Sequence, residues 1–79
     1  MSQQDLREYE LITRAWRRLA VPDRDMIKMV YVWRAHREII CRRLHIRRSP
    51  ASIYDLELAA ARRAMIAEIR RQLADVVLD

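Results

Sequence analysis

The sequence predicts an all-α fold: a small helical bundle of four helices, containing a helix-turn-helix and ending in a long C-terminal helix. Three observations predict it. The 79 residues include no glycine and only two prolines, so tight β turns lack the residues they depend on. Arg, Ala, Leu, Glu and Met make up more than half of the chain, and all favour helix. Apolar residues also recur at steps of three and four, the spacing of one helical face.

The first helix is predicted over residues 5–20. Leu6, Tyr9, Ile12 (with Thr13), Trp16 and Leu19 form its stripe. Ser2 or Asp5 caps its start. Pro22 stops it, because the residue before a proline, Val21, is pushed towards extended geometry. Asp23 is the next N-cap, and a second helix follows over 24–34. Met26, Ile27, Met29, Val30, Tyr31, Val32 and Trp33 make that segment nearly continuously apolar. Val30 to Trp33 has strand propensity, but nothing nearby offers a second strand. A helix apolar almost all round is either central or shows a face to a partner, which makes Met29, Val32 and Trp33 the candidate partner-binding residues.

A short third helix is predicted over 35–44, with Ile39, Ile40, Cys41 and Leu44 inward and Arg37, Arg42 and Arg43 outward. Residues 45–48 form a turn. Ser49 as N-cap and Pro50 at the first helical position then open the last helix, predicted over 50–77. Its stripe is Tyr54, Leu58, Ala61, Met65, Ile69, Gln72 (or Leu73) and Val76, widened by Ile53, Leu56, Ala60, Ala64 and Ala67. Such a helix is about 40 Å long, more than a small globule requires. Either its C-terminal half projects and pairs with another chain, giving a homodimer, or it divides into two helices. The whole of 1–79 reads as one domain, with the helix-turn-helix core at about 23–66.

Several function classes are unsupported. Cys41 is the only cysteine, so no intrachain disulfide forms, and a reducing, cytoplasmic location is expected. The polar N-terminus does not read as a signal peptide. The longest apolar run, Met29 to Trp33, is too short to span a bilayer, so no membrane role is expected. His36, Cys41 and His45 match no zinc spacing. Ser2, Ser49 and Ser52 fit no catalytic triad pattern. Asp23/Asp25 and Asp55/Glu57 are acids at helix starts, where the helix dipole favours them. No enzyme activity, metal or cofactor is expected.

The charge pattern is more informative. The net charge is +5, and fifteen of the sixteen basic residues are arginine. Between Arg34 and Arg48 lie six arginines and one acid, Glu38, while the rest of the chain is balanced. The whole excess therefore sits in fifteen consecutive residues. A solvated basic face without a ligand is the bland reading. The functional reading is a nucleic-acid surface, since the planar guanidinium suits phosphates and base edges. Short helix, turn and longer helix, with arginines on both sides of the turn, is what a DNA-reading helix-turn-helix requires. The candidate nucleic-acid-binding residues are Arg37, Arg42, Arg43, Arg47, Arg48, Ser49 and Ser52. Arginines would flank the groove, and Ser49, Ala51, Ser52 and Asp55 would lie nearest the base edges.

Leu19, Asp23-Arg24, Met26-Ile27 to Tyr31, Ile40-Cys41-Arg42-Arg43-Leu44-His45-Ile46, and Tyr54, Leu58 and Ala61 together resemble the C-terminal (region 4-like) helix-turn-helix domain of sigma factors. That family reads "I-A-R-R-L-G-I" followed by V-x3-L-x2-A. The pattern is also similar to phage antitermination proteins of the Q type, some of which start with an element like Ala15-Trp16 and Leu19. The resemblance covers about residues 19–65. It implies a small, phage-encoded transcription regulator that binds double-stranded DNA and contacts RNA polymerase. The chain departs from the pattern where His45 replaces the turn glycine, where the spacing to Tyr54 is about three residues longer, and where Asp55 and Glu57 place acid on the recognition helix. These departures keep open a second reading: a phage inhibitor or adaptor that binds a host protein through its apolar helices, without DNA. A purely structural helical dimer is a third.

Overall fold

In the computed structural model, residues 2–78 are described, with side chains through Asp75. The chain forms α1 (Gln3–Arg17), α2 (Val21–Ile27), α3 (Arg37–Leu44) and α4 (Ser52–Leu78), and α2 runs on directly into a π-helical stretch, Lys28–Val32. The described residues form no strand, so the fold is a small all-α bundle with a long C-terminal helix. No helix of the described residues is long and apolar enough to cross a membrane.

The start of α1 uses both expected caps reciprocally. The Asp5 N–H donates to Ser2 Oγ at 3.1 Å, and the Ser2 N–H donates to the Asp5 carboxylate at 3.4 Å, a capping box. The helix ends at Arg17, not at residue 20, because the Arg18 and Leu19 amides bond to the Ala15 and Trp16 carbonyls in a tightened last turn. Pro22 does more than stop α1. It lies in the first turn of α2, whose cap position is Ala20, so Asp23 is a first-turn acid and not the N-cap. A first-turn amide has no helical partner in any case, so proline loses nothing there.

Met26, Met29, Ile40 and Ala61 form the buried centre, and Ile27, Val30, Ala35, Leu44, Ile46, Tyr54 and Leu58 pack against it. Ala61 is fully buried. Its small side chain lets α4 approach α2 closely. Cys41 is a small core residue, as expected. The C-terminal half of α4 neither projects nor breaks. It is one continuous helix of 27 residues, and α1 packs on its second half through Ala15 and Leu19, both buried. Glu68 and Gln72 are buried beside them. Arg18 and Arg71 approach the Glu68 carboxylate at 3.7 and 3.5 Å, and the Gln72 amide donates to it at 3.4 Å.

The predicted apolar faces need correction on three helices. On α3, Ile39 is half exposed, and Ile40 and Cys41 are the buried pair. Leu6, Tyr9 and Ile12 are about half to two-thirds exposed. The inward face of α1 is the adjacent row of partly buried Leu11 and buried Ala15, continued past the helix end by buried Leu19, which lies at i, i+4 and i+8 and places the small alanine at the crossing. On α4, Leu56 and Ala67 of the widened stripe are exposed, because the contact with α2 centres on Ala61. Val76 lies outside the described side chains.

Candidate nucleic-acid interface

The site is the connection from α3 to α4 and the surface beside it. His36 caps α3, and its Nδ1 accepts from the Glu38 N–H at 3.2 Å. The helix therefore starts at Arg37, not at residue 35. At its other end His45 takes the left-handed conformation, with φ 57° and ψ 39°. The Ile46 amide then reaches back to the Cys41 carbonyl at 2.8 Å, and Ile46 packs on the core. This is the closure that a Schellman motif makes. It leaves Arg42 and Arg43 in the last turn of α3, where cations are favoured by the helix dipole.

Ser49 and Pro50 do not open α4. They lie in a bend ahead of it, and the helix starts at Ser52. The Ile53 amide bonds to the Pro50 carbonyl and the Asp55 amide to the Ala51 carbonyl, so backbone carbonyls of this bend close the first turn in place of a serine side chain. The link between the two helices is thereby longer than the expected four-residue turn at 45–48.

The candidate arginines divide by what they touch. Arg37 is a strut: its Nη2 donates to the Ala51 carbonyl at 3.3 Å, and its guanidinium lies 4.8 Å from the centre of the Tyr54 ring. It ties α3 to the start of α4. Burial pushes the Tyr54 hydroxyl above its ordinary pKa. The nearby Cys41 adds to that rise and Arg37 opposes it. Arg43 stacks on Trp33 at 5.7 Å. Arg42, Arg47 and Arg48 are exposed, as are Ser49 and Ser52. Among the described residues the ion pairs fall on Arg18 and Arg71, and none engages Arg42, Arg43, Arg47 or Arg48. Among the described residues, no carboxylate neutralises the positive charge of the turn.

Of the three candidate partner residues, Met29 is corrected. It is buried in the core with Ile40 and Ala61, on the inward side of the π-helical stretch. Val32 and Trp33 are exposed, Val32 at 71%. The π-helical stretch accounts for their position: the Trp33 amide bonds to the Lys28 carbonyl and the Ala35 amide to the Met29 carbonyl. The wider turn brings Val30 against the core and leaves Tyr31, Val32 and Trp33 outside. Arg34, with φ 51°, ends the stretch.

Sequence reasoning missed a line of alternating cations and indoles beside the turn. Arg24 lies 5.6 Å from Trp16, Lys28 lies 5.8 Å from Trp16 and 5.5 Å from Trp33, and Arg43 completes the line. The Trp16 Nε1–H donates to the Arg24 carbonyl at 3.0 Å, which fixes α1 to α2. These residues come from three helices, so no single periodicity could have joined them. His36, Cys41 and His45 do not gather with acids into a metal-binding group among the described residues. Neither a family model, nor a curated protein, nor a solved structure matches the chain.

Proposed function

We propose that this protein is a small DNA-binding transcription regulator of the sigma-domain-like or phage antiterminator-like type. It grips duplex DNA through the arginine-rich turn and the start of α4, and RNA polymerase is its second contact. The observation that carries the proposal is the set Arg42, Arg43, Arg47 and Arg48: four exposed arginines, two in the last turn of α3 and two in the connection that follows it, with no carboxylate partner among the described residues. Phosphates dominate the affinity of such surfaces, and arginines supply the contacts. Asp55 and Glu57 on the first turns of α4 would repel phosphates, so in this reading the phosphate contacts belong to the turn and α3 while the start of α4 faces the base edges. The proposed role is binding, not catalysis, because none of these residues pairs a nucleophile with a base.

The test is fluorescence anisotropy with random-sequence duplex DNA across a salt series. The expected result is binding that weakens linearly on a log–log scale and is lost when all four arginines are changed to alanine. Binding that survives the fourfold change rejects the proposal. A second reading, a phage inhibitor or adaptor that seizes a host protein, is favoured by exposed Val32 and Trp33. It predicts no duplex binding even at low salt.

A further inference from the structure

A second surface stands apart from the turn arginines, none of which lines it. Between α1 and the π-helical stretch after α2 runs an open groove of about 500 Å³. Tyr9, Ile12, Tyr31, Val32 and Met65 form most of its walls. Four of these, Tyr9, Ile12, Tyr31 and Val32, are between 48% and 71% exposed. So many large apolar side chains gathered along one groove exceed the scattered exposure that a monomer's surface normally shows. The two charged residues at the groove are Arg17 and Lys28, and no carboxylate lines it. Lys28 is the more telling. It is half-buried, its ammonium faces the Trp16 and Trp33 rings, and it has no carboxylate partner among the described residues.

From this we infer that the groove is a docking site for an acidic amphipathic helix of a partner protein. A groove between two helices takes a third by its apolar face. Bulky side chains of the partner would lie against Tyr9, Ile12 and Val32, and a carboxylate at its edge would supply the missing counter-ion of Lys28. A second copy of this chain is a poorer occupant. It would bring a net charge of +5 and its own Arg17 and Lys28 to a groove already rimmed by cations. The inference does not depend on DNA binding.

The test uses the whole protein and a fluorescein-labelled synthetic helix with leucine and phenylalanine on one face and glutamate on the other. Its twin carries lysine in place of glutamate. The acidic helix should bind at least about tenfold more tightly than the twin. Val32→Asp and Tyr9→Asp should each weaken it by about tenfold or more. Both positions are mostly exposed, 71% and 66%, so the fold should survive, and circular dichroism checks this. Changing Arg42, Arg43, Arg47 and Arg48 to alanine should leave peptide binding in place. Equal binding of the two helices overturns the inference, as does binding that follows the turn arginines and ignores Val32. Concentration-dependent self-association in sedimentation equilibrium that Val32→Asp abolishes also overturns it, and assigns the groove to a second copy.

Discussion

Two residues carry backbone geometry that their side chains do not favour. Arg34 and His45 both have positive φ, at 51° and 57°, in a chain without glycine. Left-handed geometry costs an L-residue about 1–2 kcal/mol, and glycine escapes that cost. Allowing for glycine's larger unfolded entropy, His45→Gly should stabilise the protein by about 0.5–1 kcal/mol, read as a higher urea midpoint. An unchanged or lower midpoint would mean that the imidazole makes a compensating contact. Tyr54 gives a pH dependence with a definite sign. Its pKa is raised, chiefly by burial, so the folded chain keeps the phenolic proton where the unfolded chain has lost it. The stability from this group is fully present below the unfolded pKa near 10 and is lost as pH rises through the higher folded value. Urea midpoints should therefore fall in that alkaline window, and Tyr54→Phe should flatten the fall. The same slope in the phenylalanine variant would place its origin elsewhere.

At the scale of elements, the docking of α1 on α4 rests on a small residue. Ala15 is fully buried at the crossing, and a larger side chain there must push the helices apart. Ala15→Leu should cost about 1–3 kcal/mol, the usual range for overpacking, and should expose α1 to limited proteolysis before the rest of the chain. Cleavage first in α4 would argue that α1 is held by the Glu68 cluster instead. This crossing also shows where the sequence was legible and where it was not. Helix number, helix order and the capping role of Ser2 and Asp5 follow from local chemistry, so they could be read directly. The buried face of α1 could not. Tyr9 and Ile12 of its strongest apolar stripe line the open groove, while the weaker row through Ala15 is the one that packs. Hydrophobic periodicity shows which residues share a face but not how close two backbones come, and closeness here is decided by alanine. The π-helical stretch was equally invisible, since one widened turn leaves no mark on composition. Yet it separates buried Met29 from exposed Val32 and Trp33, which the sequence had grouped together.

The molecule as a whole is elongated. Its radius of gyration is 14.4 Å, against about 11–12 Å for a compact globule of this length, and α4 sets the long axis of 46 Å. Few of its side chains are buried among the described residues. Charge is divided as unevenly as shape: the entire excess lies between residues 34 and 48, and the remaining surface is electrically balanced. If DNA is the ligand, as proposed, a protein charged in this way should meet it in one orientation, and the salt dependence of binding should count the side chains that do so. Each phosphate neutralised contributes about −0.9 to the log–log slope, so the wild-type value should be about −3 to −4 if the four exposed arginines Arg42, Arg43, Arg47 and Arg48 all engage. Replacing Arg42, Arg43, Arg47 or Arg48 singly with alanine should flatten the slope by about one unit. Arg37→Ala should behave differently. Its guanidinium is already held by the Ala51 carbonyl and the Tyr54 ring, so its loss should lower the urea midpoint and weaken DNA binding with much less change in slope. A full unit lost with Arg37 would show that it leaves its strut to contact phosphate. Slopes insensitive to all four turn residues would place the DNA elsewhere on the surface.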